Sequence, residues 1–134
     1  MLIGSNFNNC PKIFKTLYTY LKSKNFVHVK LLLLNCRFLE VVWFHSLISL
    51  TNENYIGDEL LDILTKFSPN SLIDVTIKGN CKYSNGAFEQ FFESCRTRTK
   101  LNFWIFHNDY ITKHHRIIVR KYISEGVINR SNLK

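Results

Sequence analysis

The stretch Ser71-Leu72-Ile73-Asp74-Val75-Thr76-Ile77-Lys78-Gly79-Asn80 constrains the fold more than any other. Apolar residues stand at its spacing 1, 4 and 6 (Leu72, Val75 and Ile77), and an asparagine, Asn80, at 9. In an extended chain successive side chains alternate between two faces, so the residues at 4 and 6 share one face. That face requires an apolar cover, such as a helix laid behind the strand. Leu72 closes the layer where the strand begins. The side-chain amide of Asn80 suits backbone groups at the point where the chain turns away.

The spacing recurs. Leu39, Val42 and Phe44 repeat it, as do Leu101, Trp104 and Phe106, while Ile13, Thr16 and Tyr18 form a poorer copy. The starts at Ile13, Leu39, Leu72 and Leu101 are 26, 33 and 29 residues apart. Position 9 holds Leu21, Leu47, Asn80 and Asp109, so only the central copy is complete. Units of roughly 20–29 residues that each give one strand and one helix are the leucine-rich-repeat pattern, and one spacing here is longer.

Helical patterns fill the gaps between the strands. Asp58 and Glu59 complement the N-terminus of a helix over 58–67 and Lys66 its C-terminus, with Leu60, Leu61, Leu64 and Phe67 as the apolar stripe. Phe88, Phe91, Phe92 and Cys95 fall at i, i+3, i+4 and i+7 in a helix over 86–95, capped by Ser84 or Asn85. Thr112 caps a last helix over 113–124, with Ile118 and Tyr122 inward and Gly126 as its stop. Phe26–Leu34 alternates like a strand in part, but a parallel neighbour strand must be reached by a crossover, which favours a helix. The expected fold class is therefore α/β: a short, ribonuclease-inhibitor-like arc of parallel strands near 13–19, 39–45, 72–78 and 101–106, with helices on the convex side. Residues 10–128 form the repeat domain. Residues 1–9 read as flexible or as part of a preceding repeat, and 129–134 as a frayed tail.

The remaining composition narrows the function classes. The 134 residues carry a formal charge of +8, which suits acidic partners but is not gathered in one basic tail. The four cysteines make no C-x-x-C pair and no Cys/His zinc spacing, so they read as buried thiols of a reducing compartment. No stretch has the length of a membrane span or the build of a secretory signal, so an intracellular location, cytoplasmic or nuclear, is expected. No phosphate loop, dinucleotide fingerprint, nucleophile elbow or zinc-protease motif is present, so neither an enzyme nor a cofactor site is expected. His114 and His115 point about 100° apart on a helix and do not form a metal pair; one is expected at the surface and one against the sheet.

Two surfaces are candidates for binding. In the register set by the 1-4-6 spacing, Trp43, Ile73, Phe103 and Ile105 point away from the helices, with Asp74 and His107 among them. An apolar outer face on three strands is a protein-binding surface if nothing covers it. The alternative is a basic patch of Arg96, Arg98, Lys100, Lys113, Arg116 and Arg120 for nucleic-acid phosphates, though no stacking platform or nucleic-acid motif accompanies it.

Four segments also carry a family resemblance: Cys36–Phe44, Asp58–Leu72, Phe88–Cys95 and Tyr122–Val127. They resemble the C-terminal repeats of fungal F-box/leucine-rich-repeat-like proteins, over roughly residues 10–128. The resemblance implies the target-binding half of a substrate receptor for a cullin-based ubiquitin ligase. In that family an N-terminal F-box holds a Skp-type adaptor. No Leu-Pro-x-Glu opening of an F-box occurs here, since the two prolines are Pro11 and Pro69. An adaptor is therefore expected only if an F-box lies upstream, and the chain otherwise reads as a fragment of a larger repeat protein.

Overall fold

The computed structural model describes residues 2–3, 15–21, 26–47 and 55–134. The repeat start at Ile13, the break at 23–25 and most of segment 1–9 lie outside these residues. The described chain alternates strand and helix. β1 (Leu2–Ile3) and β2 (Thr16–Leu21) are followed by α1 (Val27–Asn35), β3 (Val41–Ser46), α2 (Ile56–Phe67) and β4 (Asp74–Lys78). Then come α3 (Asn85–Ser94), a 3-10 turn (Cys95–Thr97), β5 (Leu101–Phe106), α4 (Lys113–Ser124) and β6 (Ile128–Ser131).

The six strands form one sheet in chain order, and every neighbouring pair is parallel. A parallel neighbour needs a crossover, and from β2 onward each crossover carries one helix. The helices pack in succession, α1 on α2, α2 on α3 and α3 on α4, so they make a single layer. The repeat is uneven. Thr16 pairs with Val41, Val41 with Asp74 and Asp74 with Asn102, which are steps of 25, 33 and 28 residues.

Local sequence explains the helices. Ser84 accepts from the Ala87 N–H and caps α3. Asp58, in the first turn of α2, also accepts from the Ser84 N–H and Oγ at 2.7 and 2.6 Å, tying α2 to the start of α3. Thr112 and His115 form a reciprocal capping box at the head of α4. α1, with Leu31–Leu34 unbroken, has almost no amphipathic bias of its own. Its burial of Val29, Leu32 and Leu33 comes from packing on the sheet.

The core lies between the sheet and the helix layer. Val42, Phe44, Val75 and Ile77 point into it and are fully buried, as the repeat spacing requires. Leu39, Leu60, Leu64, Leu72, Phe88, Phe91 and Phe92 join them. In β5 the spacing misplaces the register by one residue. Leu101, Phe103 and Ile105 are the buried series, while Trp104 is half-buried and Phe106 is 38 % exposed on the other face. β2 slips in the same way: Leu17, Thr19 and Leu21 face inward, and Thr16 and Tyr18 do not. A one-residue slip exchanges the two faces of a strand, and both strands carry apolar residues in either register.

The C-terminus differs from a frayed tail. Residues 128–131 are β6, and Leu133 is 2 % exposed. Beyond β6 the Asn132 amide both accepts from the Ile105 N–H (3.0 Å) and donates to its carbonyl (2.7 Å), extending the ladder by a side chain. Cys81 and Cys95 are buried free thiols, and burial pushes the Cys95 thiol up to about 11. Cys36 is half of a disulfide, so the expectation of a free thiol fails there.

Candidate functional site

The sheet face turned away from the helices is organised in rows that follow strand pairing. The middle row is Tyr18, Trp43, Thr76 and Trp104, each in register with the next. Tyr18 and Trp43 stack with ring centroids 6.3 Å apart and planes 27° from parallel. Thr76 stands between the two tryptophans and is only 1 % exposed. Two residues further along each strand runs a second row of Tyr20, His45, Lys78 and Phe106. Tyr20 and Phe106 are 45 % and 38 % exposed. On the other side of the aromatic row lie Thr16, Val41, Asp74, Asn102 and Arg130.

The polar groups of this face are largely committed. Asp74 accepts from the Asn102 amide and the Trp104 indole N–H, both at 3.3 Å. Lys15 pairs with Glu40 at 3.3 Å. Tyr18 Oη lies 3.1 Å from His45 Nδ1, which fixes the ring at the edge of the aromatic row. Neither the aromatic row nor the Tyr20–Phe106 row contains a carboxylate. With such chemistry the face can hold apolar or planar groups over the rings and negative charge beside Lys78.

No family model, curated protein or solved structure matches the chain. Its own geometry is what bears on function. Trp43 and Ile73 lie exposed at 38 % each, and His107 is exposed just past β5 with φ of 55°. Asp74 belongs to the face but is held by its two donors. Phe103 and Ile105 do not belong to it: at 0 % and 4 % exposure they are core, because β5 has the opposite register. Trp104 and Phe106 take their places. Sequence reasoning therefore missed Tyr18, Tyr20, His45, Lys78, Trp104 and Phe106. Asn102 was the available signal in β5, since a polar residue in the even-numbered series marks that series as the outer one.

The basic patch is broken up. Arg96 bonds Glu93 and Glu125 at 2.6 and 2.5 Å. Arg98 is half-buried and donates to the carbonyls of Pro69 and Leu72 at 3.0 and 2.7 Å, holding the turn between α2 and β4. Lys100, Lys113 and Arg120 are exposed and Arg116 is half-buried; none of them lies on the aromatic face. His114 is exposed. His115 is buried, its Nδ1 accepting from the Thr112 N–H and its Nε2 donating to the Tyr83 carbonyl, each at 2.9 Å. Both ring nitrogens serve the fold. Among the described residues no group of three or more His, Cys, Asp or Glu could hold a metal ion, and no helix is long and apolar enough to cross a membrane.

The α3–α4 ion pairs carry a pH dependence. The hydrogen bond from Arg96, then that from Tyr122, holds the Glu93 carboxyl below the usual carboxylate range, and Lys121 does the same for Glu89. Both groups thus bind protons less readily folded than unfolded. Their contribution to stability is present above the unfolded carboxylate pKa and is lost as pH falls through the depressed values. Unfolding followed against pH should show an acid limb that becomes shallower in Arg96→Ala; an identical limb in the variant contradicts this role for Arg96.

Proposed function

We propose that this chain recognises another protein through the helix-free face of its sheet, as the target-binding part of a receptor built like the F-box/leucine-rich-repeat proteins. The observation that carries the reading is the aromatic row of exposed Trp43 between half-buried Tyr18 and Trp104, backed by exposed Tyr20 and Phe106. Aromatic anchors gathered at the centre of a surface are what a binding hot spot needs. The repeat reading has independent support. Asn80 Oδ1 accepts from the Asp109 N–H at 2.7 Å, and Asn108, 28 residues on, donates to the Cys81 carbonyl at 2.8 Å. That step equals the β4–β5 offset, so Asn80 and Asn108 stand at equivalent places after successive strands. A ubiquitin-ligase role further requires an F-box to hold a Skp-type adaptor.

The test separates binding from folding. A partner selected with the intact chain should be captured about 1–2 kcal/mol more weakly by Trp43→Ala and by Phe106→Ala. Both side chains are partly exposed, so the melting temperature should stay nearly unchanged. If the variants unfold instead, or bind the partner as the parent does, the face is not the recognition surface. Nucleic-acid binding through the basic patch would instead fall steeply between about 50 and 200 mM salt. The engagement of Arg96 and Arg98 within the fold speaks against it.

A further inference from the structure

Resting on the sheet-face reading above, the geometry points to a partner of stated chemistry: we infer that the face takes an extended acidic segment in which an apolar residue and a carboxylate stand two positions apart. Two features carry this. The first is spacing. Trp43 and His45 on β3, and Trp104 and Phe106 on β5, are i, i+2 pairs on one face, about 6.6–6.8 Å apart along the strand. Same-side residues of an extended peptide lying along the strands have that separation too. One ligand side chain therefore meets the aromatic row while the next on that side meets the row of Tyr20, His45, Lys78 and Phe106.

The second feature is charge. Glu40 is paired with Lys15 and Asp74 is held by two hydrogen-bond donors, while Asp109, exposed past β5, lies beyond the strand residues of the face. Elsewhere among the described residues, Asp62, Glu89, Glu93 and Glu125 are spent on Lys66, Lys121 and Arg96. The outer row carries Lys78 with His45 beside it and no acid, on a chain of net charge +8. A carboxylate over Lys78 is attracted, and a lysine there is repelled. A polynucleotide fits less well, because its phosphates at the aromatic row would lie beside Asp74.

Three labelled peptides of equal length, alternating Leu and Glu, Leu and Lys, or Ser and Glu at every second position, test this by fluorescence anisotropy with the full chain. The Leu/Glu peptide should bind at least about tenfold tighter than either of the others. Lys78→Glu should invert the preference between Leu/Glu and Leu/Lys while circular dichroism shows the fold intact. Equal binding of Leu/Glu and Leu/Lys, or no inversion, overturns the acidic-partner inference and leaves the sheet-face reading standing. An oligouridine that binds more tightly than the Leu/Glu peptide also overturns it. If none of the peptides binds and the selected protein partner is indifferent to Trp43→Ala, both readings fall together.

Discussion

Replacing Phe92 by alanine should destabilise the protein by about 3–5 kcal/mol, the largest effect expected of any single truncation here. Phe92 is fully buried, and four rings surround it: Phe88, Phe91, Phe103 and Tyr122, with centroids 5.0, 5.4, 5.1 and 5.7 Å away. They come from α3, β5 and α4. Truncation therefore opens a void where three elements meet, and a ring lost at that junction cannot be replaced by one neighbour shifting. In a domain whose total stability is about 5–15 kcal/mol, such a loss removes a large fraction of the folded margin. Chemical denaturation is the measurement; a loss below about 1 kcal/mol would mean that the α3–β5–α4 junction is not packed in this way.

Gly57→Ala should destabilise the protein, whereas Gly86→Ala should not. Each glycine is the second residue of its helix, α2 or α3, so their helix propensities are closely comparable. At Gly57 a Cβ would lie 2.3 Å from a Tyr83 ring carbon and 2.5 Å from the Lys82 carbonyl oxygen. The carbonyl cannot retreat freely, because it accepts from the Gly57 N–H at 2.9 Å. Overpacking of this kind costs about 1–3 kcal/mol, more than the gain of up to about 1 kcal/mol that alanine offers a helix. At Gly86 a Cβ would meet nothing within 4 Å, so the helix gain stands alone. Gly57→Ala should lower the melting temperature and Gly86→Ala leave it unchanged or raise it. A stabilised Gly57→Ala would contradict the close approach of Tyr83 to α2.

The sequence made the central part of this architecture legible because its local signals agree. Around β4, strand alternation, the closing Leu72 and Asn80 all point the same way, and residues 74–78 fall within the expected strand. Helices α3 and α4 have polar N-caps, α2 has an acidic first turn, all three have one-sided apolar stripes, and their positions follow within two residues. The outer face was harder to read, since Leu101-Asn102-Phe103-Trp104-Ile105-Phe106 offers rings in both registers. The 1-4-6 template selected Trp104 and Phe106 as core, whereas burial selects Leu101, Phe103 and Ile105. β2 presented the same ambiguity through Leu17, Tyr18 and Tyr20. β6 was illegible for another reason: its two central residues, Asn129 and Arg130, are polar and exposed, and its pairing depends on β5 being present. Where a strand is apolar on both sides, tertiary contacts decide which side is inside.

Acrylamide quenching of tryptophan fluorescence tests the open aromatic face most directly, because both tryptophans of the chain, Trp43 and Trp104, lie on it. The folded protein should be readily quenched, with Trp43 dominating, and a saturating partner should protect it. Emission that is shielded in the free folded protein and opens to quencher only on unfolding would show the face already covered, and would contradict a recognition surface there.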